Sequence, residues 1–120
     1  MLQFDFDIAS STLSPEGERF CTIRKGDIDV LVVGRIADGE ITARSPIKIG
    51  GAGSRLKWSP DGKFIGSVQA GRLAIYRPND LSLVSEISTR YPSDIDLQPN
   101  GQRIALACWD GGSPLTLKLV

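Results

Sequence analysis

Residues 56–68, LKWSPDGKFIGSV, decide how the rest of the chain is read. Apolar residues alternate into Ser59-Pro60-Asp61-Gly62, and a second apolar run follows at once. Proline presets the first central φ of a tight turn, aspartate bonds to its own backbone, and glycine relieves the exit. The stretch therefore reads as two short antiparallel strands joined by a turn. It has two relatives in the chain: TLSPEGERFCTI at 12–23 and DLQPNGQRIALA at 96–107. The turn prolines are Pro15, Pro60 and Pro99, 45 and then 39 residues apart. Five residues beyond each stands Phe20, Ile65 or Ile104, and eleven beyond stands Gly26, Gly71 or Asp110 at a second turn.

Extending that register lays out the strands. The middle unit holds 54–59, 63–69, 72–77 and 81–87. The first holds 8–13, 19–24, 27–33 and 40–49, and the last 94–98, 103–109 and 115–120. No segment keeps a helical period over eleven residues. Four antiparallel strands recurring every ~40 residues mark a propeller blade. The run WSPDGKFIGSVQAGRLAIYRPNDLSLVSEI, 58–87, resembles one blade of the WD-repeat-like and YVTN-type β-propellers. The chain has no histidine, so it lacks the Asp-His-Ser-Trp network of true WD blades. Trp109-Asp110 falls at a second turn and is not the WD dipeptide.

The expected fold is all-β: a half β-propeller of about three four-stranded antiparallel blades, the last lacking its outer strand. One domain covers 1–120, with blade 1 at about 7–50, blade 2 at about 54–89 and blade 3 at about 93–120. Residues 1–6 form a possible blade-completing strand, with Leu2, Phe4 and Phe6 alternating against Gln3, Asp5 and Asp7. The resemblance implies that such a strand completes a last blade. Propellers typically have four to eight blades, so three predict closure by homodimerisation, each N-terminal strand completing the partner's third blade. The competing readings are a piece of a longer propeller and docking on a different, complementary half propeller. A β-sandwich also suits short strands with Gly and Pro turns; the shared register favours blades.

Composition narrows the role. Fourteen basic and fourteen acidic residues cancel, which gives no pull toward nucleic acid or an acidic membrane. The start, MLQFDFDIASS, has no basic residue and no apolar core of a secretory signal. Cys21 and Cys108 lie in apolar runs and read as buried thiols. A cytoplasmic setting is expected. Without histidine there is no Ser-His or Cys-His pair, no serine sits in Gly-x-Ser-x-Gly, and two distant cysteines make no zinc site. The expectation is that the chain is not an enzyme and takes no cofactor or metal. Residues 50–54, GGAGS, lack the Gly-Lys-Ser/Thr ending of a phosphate loop and read as a link between blades. The pairs Asp5/Asp7, Asp27/Asp29 and Asp94/Asp96 read as solvated strand faces.

Two candidate sites remain. Aligned prolines place Arg55 and Lys57 at the repeat positions of Asp94 and Asp96, with Ser10 and Thr12 in the first unit. All lie on first strands, which line a propeller's channel. They balance charge between blades or hold a small ligand or ion. The second candidate is a rim carrying Arg24, Lys25, Arg90, Tyr91 and Trp109, rich in the types that dominate binding energy. The expected function is a non-catalytic protein–protein interaction module whose partner is a protein or peptide. The alternatives are a structural subunit or fragment of a larger propeller, and ligand binding in the channel.

Overall fold

The computed structural model describes residues 8–24, 29–47, 55–69, 72–88, 92–97, 103–108 and 115–118, with side chains for 11–24, 30–47, 55–69 and 72–88. These residues form eleven strands and no helix. The first sheet joins β1 (Ile8–Leu13), β2 (Arg19–Arg24), β3 (Asp29–Arg35) and β4 (Ile41–Ile47) in chain order. The second joins β5 (Arg55–Trp58), β6 (Ile65–Gln69), β7 (Arg72–Tyr76) and β8 (Leu83–Ser88). The third joins β9 (Pro92–Leu97), β10 (Arg103–Cys108) and β11 (Leu115–Lys118), with no fourth strand among the described residues. No helix of the described residues is long and apolar enough to cross a membrane.

All neighbours pair antiparallel, and the sheets share one register. Thr12 lies opposite Cys21, Lys57 opposite Gly66, and Asp96 opposite Ala105. Their irregularities repeat as well. The register slips between Ile8 and Ser10 in the first sheet and at the equivalent Pro92–Asp94 step in the third. The third and fourth strands slip between Val33 and Gly34, and likewise between Ile75 and Tyr76. A bulge adds one residue to one strand and increases local twist. Sheets that carry it at the same place twist alike and can stack alike.

The turns explain why this sequence makes these hairpins. Ser14 and Ser59 close the first turn with matching bonds. The Ser14 N–H donates to Arg19 O (2.9 Å) and the Ser59 N–H to Phe64 O (2.8 Å), while each serine Oγ accepts the return N–H of that residue at 3.0 Å. Gly17 and Gly62 both take φ +78°, the left-handed region that only glycine enters freely. A second turn repeats too. The Glu40 N–H donates to Asp38 Oδ1 (3.0 Å) and the Ser82 N–H to Asp80 Oδ1 (2.9 Å). Gly39 fills the left-handed position of the first copy, and Leu81, at φ 55°, that of the second. Leu81 is buried in the core, so its apolar contacts offset the backbone strain. That geometry holds Leu81 in the turn, and β8 begins at Leu83 rather than at Leu81 as the apolar pattern suggests.

The three sheets stack around their first strands: β5 lies against both β1 and β9, and β6 against β9. Cys21, Ile23, Leu31, Val33, Ala43 and Ile47 of the first sheet form one apolar cluster with Leu56, Trp58, Ile65, Ala74, Tyr76 and Leu81. The two contributing faces are not equivalent. Cys21 corresponds by register to Gly66, and Trp58 corresponds to Leu13. One face of a sheet therefore packs on the opposite face of the next, a head-to-tail stack.

Candidate functional site

The inner strand of the second sheet alternates as period two requires. Arg55 and Lys57 are exposed, while Leu56 and Trp58 are buried. The neighbouring β9 carries Asp94 and Asp96 at the same register positions; their side chains lie outside the described residues. On β1 the equivalent Thr12 is half-buried, and the Ser10 side chain lies outside the described set. The structure thus brings the four charges onto two adjacent first strands. Of the rim candidates, Arg24 is exposed at the end of β2. Lys25, Arg90, Tyr91 and Trp109 lie outside the described residues, as do residues 1–6 and 50–54. Pro92 pairs with Cys108, so β9 starts and β10 ends at the same end of the third sheet. Cys21 is a fully buried thiol whose pKa burial pushes far up. The Cys108 side chain is outside the described set. Among the described residues no group of His, Cys, Asp and Glu could hold a metal ion.

Two constellations were not visible in the sequence. The first joins the blades where the turn tips meet. The Arg19 guanidinium lies 4.9 Å from the centroid of the Trp58 ring, a cation–π distance. The same guanidinium donates to Asn79 Oδ1 (3.1 Å) and reaches Glu16 Oε1 at 3.4 Å. Trp58 donates its indole N–H to Gly62 O at 3.2 Å. A Cβ on Gly62 would stand 4.0 Å from Pro15 Cδ and Glu16 Oε2, so the two proline turns are in contact. A hydrogen bond from its own backbone N–H leads the causes that hold the Glu16 carboxyl below its usual range; Ser14 and Arg19 add to it against slight desolvation. Burial raises the Asp61 pKa, but the Ser59 hydroxyl and the Lys63 N–H outweigh it, and the net shift is downward.

The second constellation is a polar chain on the face of the second sheet that meets the first. Gln69, buried, donates from Nε2 to Tyr76 Oη (2.9 Å) and Ser67 Oγ (3.1 Å), and accepts from Arg72 Nε on Oε1 (2.8 Å). Arg72 also pairs with Glu86. A glutamine and a serine in an otherwise apolar, wholly buried strand were the available signal. In the first sheet Thr22 replaces Ser67 and Arg24 replaces Gln69 by register. The Thr22 hydroxyl is buried and has no partner among the described residues.

No family model matches the chain, and no curated protein matches it. Solved structures do. The Cps50 (Swd1) β-propeller domain of Myceliophteria thermophila superposes with a TM-score of 0.73 at 15% identity, over 99% of this chain and 37% of that one. A candidate 6-phosphogluconolactonase from Bacteroides fragilis gives 0.65 at 23% identity, over 92% and 34%. Its counterpart from Bacteroides uniformis gives 0.67 at 22%, over 98% and 37%. The chain thus spans little more than a third of the length of these neighbours. The expectation that the chain is not an enzyme is corrected by the two candidate lactonases: the fold is shared with proteins assigned to catalysis. The physical reason is that a missing histidine removes histidine-dependent mechanisms only, while function resides in sites that a fold merely carries. At these identities the likeness shows the fold alone, and that fold is a β-propeller, of which this chain forms three stacked blades.

Proposed function

We propose that the chain supplies three blades of a closed propeller that works as an interaction module for a protein or peptide. The observation that supports this most directly is the head-to-tail stack in one register, which brings equivalent strand ends of successive blades to common rims. Loops on a rigid scaffold carry function more often than the scaffold does. The reading assigns contact to Arg24, Lys25, Arg90, Tyr91 and Trp109. It also places the repeat with WD-repeat-like and YVTN-type blades, on the strength of its proline turns, and puts the protein in a reducing, cytoplasmic setting that suits the unpaired Cys21 thiol. Closure comes from homodimerisation; the alternative source is further blades of a longer protein. Tyr91→Ala and Trp109→Ala are expected to lose the protein retained by tagged wild-type chain in a pull-down, with the urea midpoint nearly unchanged. Retention of the same protein by both variants would sink the rim assignment.

A second reading is favoured by the exposure of Arg55 and Lys57 on an inner strand. Two cations beside the strand of Asp94 and Asp96 suit a small polar or anionic ligand in the channel. Native mass spectrometry of the purified wild type should then show a bound small molecule that Arg55→Ala loses. A spectrum with no added mass removes this reading.

A further inference from the structure

We propose that the outer edge of the second blade takes up an extended basic peptide, which adds a strand beside β8. This surface lies apart from the rims and does not depend on how the ring closes. The sheets stack through their first strands, so their fourth strands lie outermost. Among the described residues no strand pairs beyond β4 or β8. Along an antiparallel ladder, pairs that exchange backbone bonds alternate with pairs that do not. The Arg77 N–H donates to Ser82 O and the Arg35 N–H to Glu40 O, which fixes the phase of both outer ladders. Counting on, Ser85 and Ile87 bond to β7, while Leu83, Glu86 and Ser88 turn their backbone N–H and C=O groups to the open edge. The outward positions of β4 are Ile41, Arg44 and Pro46. Pro46 agrees with this phase, because it has no N–H to give β3.

The two edges differ at three matched positions. Register sets Ile41 with Leu83, Arg44 with Glu86 and Pro46 with Ser88. In the first blade a proline removes one outward donor and an exposed arginine stands beside it, and both are devices that keep other strands off an edge. In the second blade all three outward N–H groups are present, and β8 has no proline and no base. None of its residues is buried, whereas β4 buries Ala43 and Ile47. Leu83 is 48% exposed, one of two large apolar side chains exposed among the described residues. A row of donors and acceptors at strand spacing is matched by an extended backbone. The side chains then select the peptide. An apolar residue belongs against Leu83. A cationic one belongs against Glu86, whose carboxylate pairs with Arg72 yet stays half-exposed and is the one charge on β8.

The probe is a synthetic peptide, Gly-Thr-Val-Lys-Thr-Val-Gly, with a Lys-to-Glu version as control, titrated into the full chain and followed by amide NMR. The lysine peptide should bind about 2- to 10-fold more tightly than the control. At saturation it should slow hydrogen exchange at the Leu83, Glu86 and Ser88 amides and leave Ser85 and Ile87, already bonded to β7, unchanged. Ser88→Pro copies the proline of the first blade. It should keep the wild-type urea midpoint and weaken the peptide about 3- to 10-fold, the effect of one lost backbone bond. No binding by wild type overturns the proposal. So does protection that omits the three outward amides, or a folded Ser88→Pro chain that binds as wild type does. If Ser88→Pro fails to fold, the exchange pattern of the wild type decides alone. Tyr91→Ala and Trp109→Ala should leave peptide binding intact, and its loss in either would move the peptide to the rim and overturn the edge assignment. Failure of the peptide with a protein partner still lost by those two variants removes this inference and spares the rim reading.

Discussion

Trp58→Ala is expected to cost about 3–5 kcal/mol, the range for removing a large buried aromatic. Three contributions go together. The ring is part of the apolar cluster between the first two blades. Its indole N–H donates to Gly62 O inside the proline turn. Its face receives Arg19, which also reaches Asn79 across the joint. Removal empties the cluster, frees a turn carbonyl and unseats the guanidinium at once. A total stability of roughly 5–15 kcal/mol makes this a large fraction, so part of the variant should be unfolded at 37 °C. Trp58→Phe separates the effects: it keeps a ring for Arg19 and loses the N–H, for about 1 kcal/mol. Urea unfolding followed by circular dichroism measures both. A Trp58→Ala loss below about 1 kcal/mol would mean that the blades are held together elsewhere.

Gly34→Ala is the second large effect, expected at about 1–3 kcal/mol or more from overpacking. A Cβ at Gly34 would lie 2.5 Å from Phe20 Cζ and 2.7 Å from Glu40 O. One obstacle is a buried ring and the other is backbone, held by the Arg35 N–H at 3.0 Å. Neither yields cheaply. The cause is a division of volume between paired positions. Phe20 pairs with Gly34 in the first sheet, and Ile65 pairs with Tyr76 at the same place in the second. Each pair sets one aromatic against a smaller partner, on opposite strands. Phe20→Leu in the Gly34→Ala background should therefore recover part of the loss. A Gly34→Ala urea midpoint equal to wild type would show that the flank has spare room.

Local chemistry was legible in the sequence where a residue type forces a backbone shape. The proline turns gave the hairpins and, through their spacing, the register on which three blades rest. Period two in Arg55-Leu56-Lys57-Trp58 separated exposed from buried positions correctly. Leu81 misled, because an apolar residue at a left-handed position reads as the start of a strand. The blade joint was hidden for a different reason. Arg19, Trp58 and Asn79 are distant in sequence, and nothing in a periodic pattern says which sheets stack or in which direction. The Gln69 chain was hidden because a polar residue inside an apolar strand is ambiguous until its partners appear. On catalysis the sequence is silent beyond one group of mechanisms, because the absence of histidine excludes only those that need an imidazole.

The common register carries a consequence for how such a protein can be altered. Between the first and second blades the proline turns are 45 residues apart, yet the third strands match at an interval of 42: Val33 with Ile75, Gly34 with Tyr76. The difference falls in one connection, five residues between Arg24 and Val30 and two between Gln69 and Arg72. Pairing on either side is indifferent to it. That connection is a natural insertion port, where loops of foreign sequence can be grafted without rewriting the sheets. Because the same port recurs from blade to blade, several grafts placed together would converge on one rim.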